Sequence, residues 1–373
     1  MIKDLLLRNF KCFEHQRIPM RNLTLLTGLN GMGKSSVLQA LLLLRQSYLD
    51  GTLPDDGLEL NGSLVQMGTA KDILYEDAQQ DEFEINLSWD DGADARLVLQ
   101  YHREADVLNI DSNSVDRDIF SRLPFTDGFH YLQAERLGPR TTNVISDYQV
   151  RMHRQIGSSG QFAQHFLYVY GSENVTDERL LHDSTEAHDL RTQVQCWLHE
   201  ISPGTKLSLE SHPQMDLVSL RYSFLMGDQR SSPYRATSVG FGITYVLPVL
   251  IGVLSSKPGD LLIIENPEAH LHPRAQARIG QLLARAAAVG IQILDETHSD
   301  HILNGIRVAV HDGFIPPQHV ALHYFSRPEN TDGLRTVVQS PNLDKNGRLD
   351  QWPKGFFDEW DRSLESLLEP KGT

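Results

Sequence analysis

The chain has 373 residues, of which 40% are hydrophobic and 22% are charged, and its formal net charge is −15. These values fit one large or two ordinary globular domains, and no apolar run reaches the ~18 residues that a bilayer-spanning helix needs. Two cysteines are too few for a disulfide framework, so a cytoplasmic location without membrane contact is expected. The acidic balance opposes DNA phosphates, so DNA contact is expected to be weak, local or delegated to a partner.

The first specific signal lies near the N-terminus, where NLTLLTG is followed by LNGMGKSS. NLTLLTG predicts a buried parallel strand, and GKSSVLQALLLLRQSYL predicts a helix. The G-x-x-x-x-G-K-S between them is the pattern of a phosphate-binding loop in its strand–turn–helix context. Gly31 and Gly33 let backbone amides close around phosphates, Lys34 is expected at the terminal phosphates, and Ser35 at Mg²⁺.

The chain is predicted to fall into three regions. Residues 1–140 should form the first half of the nucleotide-binding sheet, with EFEINLSW and ARLVLQYH as antiparallel strands. Residues 141–203 carry helical patterns such as DLRTQVQCWLHEI, interrupted by GSSG and GSEN, and predict a helical insert. Residues 204–373 return to the sheet and end in the helical pattern FFDEWDRSLESLLE. The predicted class is α/β, a mixed sheet around the phosphate-loop strand with an antiparallel subregion and a helical insert.

Two later strands bring polar side chains to the same sheet edge. In DLLIIENPEAHLHP an apolar run is followed by Glu265, and ligands of parallel α/β sheets bind at that carboxyl end. Glu265 is therefore expected to bind Mg²⁺ together with Ser35. IQILDETHSDH follows a helix predicted to begin at Pro273 and presents His298 at the same edge.

These motifs together resemble those of ABC-type ATPases of the AAA family. GLNGMGKSS, with Asn30 and Ser36 as further ATP-binding residues, resembles the loop of the structural-maintenance-of-chromosomes, RecF and overcoming-lysogenisation-defect class, and NFKCF resembles its first strand. ENPEAHLHP and ETHSDHIL resemble motifs of the overcoming-lysogenisation-defect branch. SVGFGITYVLPVL and WPKGFF resemble a bacterial subfamily of standalone ATPases often associated with phage defence. The resemblance implies an ABC-ATPase head that uses ATP and Mg²⁺, and it is weakest over residues 50–125 and 150–200.

The resemblance also implies a second subunit. It identifies ATSVGFGITYVL as the signature segment, in which Ser238, Gly240 and Gly242 cap the γ-phosphate held by another chain. A serine hydroxyl and glycine amides at a helix N-terminus are anion donors, which suits that role. A homodimer around two ATP molecules is expected, with higher assembly left open. The resemblance further implies a glutamine at Mg²⁺, for which Gln133 is the candidate and Gln66 a rival.

One position departs from the family pattern. Asn266 stands where the family has its catalytic glutamate, and an asparagine cannot act as a general base. Glu268 is the nearest other carboxylate and is expected to orient the attacking water, while His298 is expected to sense the γ-phosphate. With Glu265, Glu268 and His298 as the catalytic set, hydrolysis is predicted to be slow, well below the roughly 10 s⁻¹ typical of enzymes.

The predicted function is that of an ATP-bound homodimer that controls a partner effector in anti-phage defence. Some relatives carry a Toprim nuclease after the ATPase, but no D-x-D pair follows His298, so a nuclease or toxin is expected in trans. A RecF-like DNA repair ATPase is the alternative. A zinc hydrolase using His270, His272, His298 and His301 stays open, as does a docking site at Trp352, Phe356 and Phe357.

Overall fold

The structure is a computed structural model that describes residues 1–110, 116–327 and 336–368. Its strands are β1 (Ile2–Phe10), β2 (Phe13–Pro19), β3 (Leu23–Gly28), β4 (Leu58–Glu59), β5 (Glu82–Trp89), β6 (Asp94–Gln100), β7 (Val107–Leu108), β8 (Phe129–Leu132), β9 (Asn143–Val144), β10 (Thr205–His212), β11 (Leu217–Met226), β12 (Gln229–Arg230), β13 (Tyr234–Arg235), β14 (Leu261–Glu265), β15 (Gln292–Glu296), β16 (Val320–Ser326) and β17 (Val337–Gln339). Its helices are α1 (Lys34–Leu49), α2 (Ala163–Tyr170), α3 (Leu190–Ile201), α4 (Phe241–Ser255), α5 (Pro273–Ala288), α6 (Asp300–His311) and α7 (Glu359–Leu368). Within the described ranges, no helix combines the length and apolar character needed to cross a membrane.

A six-stranded sheet in the order β17-β16-β3-β15-β14-β8 positions the functional site. The five strands from β16 to β8 are parallel, and only β17 runs antiparallel. The carboxyl ends of β3, β15, β14 and β8 therefore lie at one edge, as predicted for the phosphate-loop strand and the two acidic strands. Strand β15 lies between β3 and β14, which the sequence alone did not indicate.

Both faces of this sheet are covered, which explains its apolar strands. Along β14, Leu262 and Ile264 belong to the core shared with α4 and α5, whereas Leu261 and Ile263 belong to the core shared with α1. All four side chains are completely buried. Period-two alternation in a strand covered on both faces produces a continuous apolar run.

Most of the N-terminal region lies outside the six-stranded sheet. Strands β2-β1-β5-β6 form a separate antiparallel sheet, and only β3 and β8 of residues 1–140 join the parallel one. The prediction that this region forms half of the nucleotide-binding sheet was therefore too broad. Strand β6 alternates buried and exposed residues, so one face is polar and cannot be sandwiched between two cores. The antiparallel pairing of the EFEINLSW and ARLVLQYH segments is confirmed.

The helical region packs on the other core. Helices α2 and α3 lie against α4, and β9 pairs with β11, so the segment 141–203 is tied to the C-terminal region by a strand as well as by helix packing. Near the C-terminus, Phe356 is completely buried and packs edge-on against Tyr324. The docking hypothesis is therefore wrong for Phe356, which is a core residue, whereas Trp352 is 44% exposed.

Candidate nucleotide-binding site

The loop between β3 and α1 curls tightly because its glycines adopt backbone angles that other residues avoid. Gly28, Gly31 and Gly33 have φ values of 136°, 75° and 100°. A Cβ at Gly28 would lie 2.2 Å from the Phe325 carbonyl oxygen, and one at Gly33 would lie 2.5 Å from Cys12 Sγ. The sequence pattern of the phosphate-binding loop is thus matched by a backbone that only glycine allows.

Lys34 and Ser35 begin α1 and face the carboxyl end of β15. Lys34 is 3% exposed, and its Nζ donates to the carbonyl oxygens of Gly28 at 2.9 Å and Leu29 at 2.8 Å. Burial lowers the pKa of Lys34, and the nearby Glu296 carboxylate, 3.9 Å away, opposes this shift. The Ser35 hydroxyl lies 3.1 Å from each Glu296 carboxylate oxygen.

Glu296 is a candidate site residue that the sequence analysis missed. Burial raises its pKa to about 7, and the neighbouring Glu265 adds to the shift, whereas Lys34 and the Ser35 hydroxyl oppose it. Like Glu265, it ends an apolar strand, and this was the signal that could have identified it. Because β15 is adjacent to β3, Glu296 is the acidic residue nearest to Ser35 in the sheet, and Glu265 lies one strand further away.

Glu265 lies beside Glu296 at the same edge, as expected for a residue at the end of β14. The two residues are paired in the parallel register. The phenolic hydroxyl of Tyr131 on β8 donates to Glu265 Oε1 over 2.6 Å. One row of side chains therefore follows the sheet edge, in which each contacts or lies beside the next: Tyr131, Glu265, Glu296 and Ser35.

The glutamine predicted at Mg²⁺ is not directed at this row. The side-chain amide of Gln133 donates to the Glu135 carbonyl oxygen, and its backbone amide donates to that of Ser158, both at 2.9 Å. The rival Gln66 is exposed and its backbone bridges to Asn61. Neither glutamine is among the residues that line the cavity around Lys34. A role for Gln133 at Mg²⁺ therefore remains a prediction.

The turn after β14 brings two predicted catalytic residues together. Asn266 has a left-handed φ of 46°, and its backbone N–H donates to the Glu296 carbonyl oxygen over 2.7 Å. Glu268 Oε1 accepts the backbone amide of His298 at 2.9 Å. Burial lowers the pKa of His298, and the Lys34 ammonium group lowers it further. Glu268 thus connects the turn after β14, called the acidic turn below, to the segment after β15 that contains His298.

Arg136 holds that turn through hydrogen bonds to its backbone. It is 2% exposed, and its guanidinium donates to the carbonyl oxygens of Glu265 at 2.7 Å, Asn266 at 2.6 Å and Tyr245 on α4 at 3.1 Å. Hydrogen bonds from a charged donor are stronger than neutral ones, so these contacts hold the backbone of the turn. Arg136 therefore connects the turn after β14 to α4, the helix whose start carries the predicted signature.

The predicted signature residues lie at the N-terminus of α4 and are accessible. Ser238 and Gly240 are exposed, and a Cβ at Gly240 would meet nothing within 4 Å. A Cβ at Gly242 would lie 2.5 Å from the His270 carbonyl oxygen, so glycine is needed there for helix packing. None of the three residues lines the cavity around Lys34.

The histidines near this edge have individual roles. His272 Nδ1 accepts the Arg274 amide at 3.3 Å and so caps α5, and His270 packs edge-on against Tyr245. Across the described parts of the chain, no group of three or more His, Cys, Asp or Glu side chains is arranged to hold a metal ion. The zinc hypothesis therefore gains no support from the structure.

The loop and the start of α1 line a cavity of about 480 Å³. It is lined by the predicted ATP-binding residues Asn30, Gly31, Gly33, Lys34, Ser35 and Ser36. Glu296 also lines it, together with two cationic residues that the sequence analysis missed, Lys11 and Arg327. A second cavity of the same volume, lined partly by Arg45 and Tyr131, contains no residue of the loop. Chemistry, not volume, therefore identifies the nucleotide site.

Comparisons with known proteins agree with this geometry. The family model described as "AAA domain, putative AbiEii toxin, Type IV TA system" matches residues 23–304, and that described as "Protein of unknown function (DUF3696)" matches residues 315–367. The chain is similar to an Smc head bound to the C-winged helix domain of ScpA, with 14% identity and a TM-score of 0.56 over 92% of this chain and 98% of that one.

It is also similar to an Smc head domain with an extended coiled coil bound to the C-terminal domain of ScpA derived from Pyrococcus furiosus. That likeness has 14% identity and a TM-score of 0.50 over 99% of both chains. Identities this low show the fold alone, which is the mixed α/β fold of an SMC-type ATPase head. No curated protein matches the chain.

Proposed function

Because the chain belongs to the AAA-domain family whose model spans residues 23–304, and is therefore an ATPase of the AAA/SMC-like type, we propose that it dimerises around ATP and controls a partner protein. The observation that carries the proposal is that the phosphate loop and the predicted signature segment lie apart within one chain. The loop residues Lys34 and Ser35 line a cavity, whereas Ser238 and Gly240 are exposed outside it. A second copy arranged head to tail brings the exposed half of one chain to the cavity of the other.

Magnesium fits the residues at the sheet edge. A hydroxyl and two carboxylates from Ser35, Glu296 and Glu265 are hard oxygen donors of the kind Mg²⁺ prefers. Bound there with ATP, the ion would neutralise charge on the β- and γ-phosphates. Glu296 is the ligand we favour beside Ser35 because its two oxygens already lie 3.1 Å from that hydroxyl.

Slow turnover follows from the acidic turn. Asn266 supplies no general base, and its backbone is fixed because its N–H donates to the Glu296 carbonyl oxygen and its carbonyl oxygen accepts from Arg136. Glu268 is the remaining carboxylate of the turn, and its contact with the His298 amide places it between the turn and the histidine. We propose that Glu268 orients the attacking water and that His298 contacts the γ-phosphate.

The partner is proposed to be a nuclease or toxin that acts in anti-phage defence. The description of the family that this chain matches refers to a toxin–antitoxin system, which supports a place in a defence system, and both similar Smc heads are bound to domains of another protein, which supports a protein partner. The net charge of −15 favours a protein partner over direct DNA contact. ATP-dependent dimerisation is then the signal that the partner receives.

The test is ATP-dependent dimerisation measured by size and mass in solution. With ATP and Mg²⁺ the wild type is expected to dimerise, whereas Lys34→Ala and Ser238→Arg stay monomeric. Ser184→Arg adds the same side chain to an exposed serine of the helical region and is the matched control, expected to dimerise. Dimerisation of Ser238→Arg to the wild-type extent would rule out the signature assignment. Co-purification with the products of neighbouring genes, for wild type and Lys34→Ala, then identifies the partner.

A further inference from the structure

The hydrogen bond from Tyr131 to Glu265 gives this site a component that neither motif contains. The phenolic oxygen lies 2.6 Å from Glu265 Oε1, and Tyr131 is only 9% exposed. We propose that Tyr131 is a positioning residue that orients the Glu265 carboxylate for Mg²⁺. The inference rests on the proposed function, because it assigns Glu265 to the metal.

The sheet register explains why this tyrosine can reach the carboxylate. In the parallel pairing of β8 with β14, Tyr131 lies opposite Ile263. Paired residues point to the same face, and so does Glu265, two residues beyond Ile263. Tyr131 and Ile263 both belong to the core on the α1 side, so the phenol extends along that face to the sheet edge. Its direction is therefore set by the strands and not by a mobile loop.

The hydrogen bond matters because Glu265 has a like charge beside it. Glu296 lies opposite Glu265 in the register, and two neighbouring carboxylates repel each other. A donor on the far side of Glu265 offsets that repulsion and removes one rotational freedom of a long side chain. Outer-shell hydrogen bonds of this kind typically change metal affinity by about 10–100-fold.

The phenol is suited to remain a donor. A tyrosine hydroxyl, with an ordinary pKa of about 10, keeps its proton in the neutral range and donates to a carboxylate. Tyr131 is not a residue of the nucleotide cavity, and its ring instead lines the second cavity beside Phe129. It therefore acts through Glu265 and not by touching the nucleotide.

Tyr131→Phe removes the hydroxyl and keeps the ring, so it is the decisive variant. We expect the Mg²⁺ concentration for half-maximal ATP binding, measured by calorimetry, to rise about tenfold. Nucleotide binding in EDTA should stay unchanged. The matched control is Tyr170→Phe, which deletes a phenol that donates to the Val150 carbonyl oxygen at 3.2 Å in the helical region. That control should keep the wild-type Mg²⁺ dependence.

A double-mutant cycle with Glu265→Gln separates positioning from general packing. If Tyr131 acts through Glu265, Tyr131→Phe changes Mg²⁺ dependence in the wild-type background and adds nothing in Glu265→Gln. If Tyr131→Phe also lowers the melting temperature, the cycle still distinguishes positioning from a packing defect, because a packing defect would change Mg²⁺ dependence in both backgrounds. Equal Mg²⁺ dependence of wild type and Tyr131→Phe, or additive effects, would overturn the inference alone. A wild type whose ATP binding ignores Mg²⁺ would overturn the proposed metal site as well.

Discussion

Two adjacent acidic residues at the end of β15 have opposite environments. Glu296 faces Ser35 and the nucleotide cavity, whereas Asp295 points to the other face of the sheet and is 0% exposed. Neither carboxylate oxygen of Asp295 has a hydrogen-bond partner among the described residues. Burial raises the pKa of Asp295 well above its usual value, with Glu268 and Glu296 adding to the shift. Strand alternation thus directs Asp295 into the core and Glu296 towards the nucleotide cavity.

This division predicts different effects of two isosteric substitutions. Glu296→Gln removes the charge that faces Ser35 and Lys34. We expect the rate of ATP hydrolysis, measured as phosphate released, to fall by roughly 100-fold, as when a charge-stabilising group is lost. Asp295→Asn keeps shape in a buried position away from the cavity, and turnover should stay within about threefold. Equal losses in the two variants, measured at saturating Mg²⁺, would show that Glu296 has no special role.

A buried histidine makes stability depend on pH. His323 is 1% exposed, with Nε2 2.7 Å from the Pro19 carbonyl oxygen and Nδ1 2.7 Å from the Ser340 hydroxyl. A carbonyl only accepts, so Nε2 carries the proton and Nδ1 accepts from Ser340. Burial lowers the pKa of His323. The unfolded chain therefore takes up a proton near pH ~6.5 that the folded chain refuses, and stability falls as pH drops below that value.

His323→Gln is expected to flatten this part of the pH profile. The free energy of unfolding of the wild type, from urea titrations between pH 7.5 and 5, should decrease more steeply with acid than that of the variant. His102→Gln replaces an exposed histidine and should keep the wild-type slope. Parallel profiles for all three proteins would mean that His323 protonates as easily in the folded state as in the unfolded one.

At the scale of elements, the two glycines at the start of helix α4 have different roles. Gly242 lies where α4 crosses the backbone of His270, and a Cβ there would approach the carbonyl oxygen to 2.5 Å. Gly240 precedes the helix in open space with an ordinary φ of −61°. Packing of α4 onto the acidic turn therefore depends on Gly242, whereas Gly240 is free to contact another molecule.

Alanine substitutions distinguish these roles. Gly242→Ala should lower the free energy of unfolding by about 1–3 kcal/mol, the usual cost of an extra methyl group in a packed contact. Gly240→Ala should leave stability within about 0.5 kcal/mol. Denaturant titration of both variants is the measurement, and a larger loss for Gly240→Ala would contradict this packing of α4.

The strands were predictable to different degrees. The runs before Gly28, Glu265 and Glu296 indicated parallel strands because both of their faces are buried, and the phosphate loop is a local pattern that specifies its own turn. The order of the strands is a long-range property that these local patterns do not contain. For that reason Glu296 was overlooked, and the assignment of Gln133 to Mg²⁺, whose side-chain amide here donates to the Glu135 carbonyl oxygen, stays a prediction.

At the scale of the whole molecule, charge bears on the choice between a protein partner and DNA. The chain carries 34 Lys and Arg residues against 49 Asp and Glu residues. Arg45 and Arg136 are buried at 4% and 2% exposure and donate to backbone carbonyl groups, so they are not available to contact phosphates directly. The acidic residues Asp4, Glu84, Asp295 and Glu296 are buried as well, so the surface available to DNA keeps an acidic balance close to that of the composition.

We accordingly expect the ATP-bound protein to bind duplex DNA only weakly. Nonspecific binding relies on released counterions, so at ~150 mM salt the dissociation constant should lie near or above the roughly 10⁻⁴ M end of the nonspecific range. A fluorescence titration of labelled duplex at several salt concentrations gives both the affinity and the number of phosphates contacted. Micromolar binding with a steep salt dependence would require a basic stripe that forms only across the dimer, and would favour the RecF-like alternative. Loss of that binding in Ser238→Arg would then assign the stripe to the dimer, because a single chain keeps all its cations in this variant.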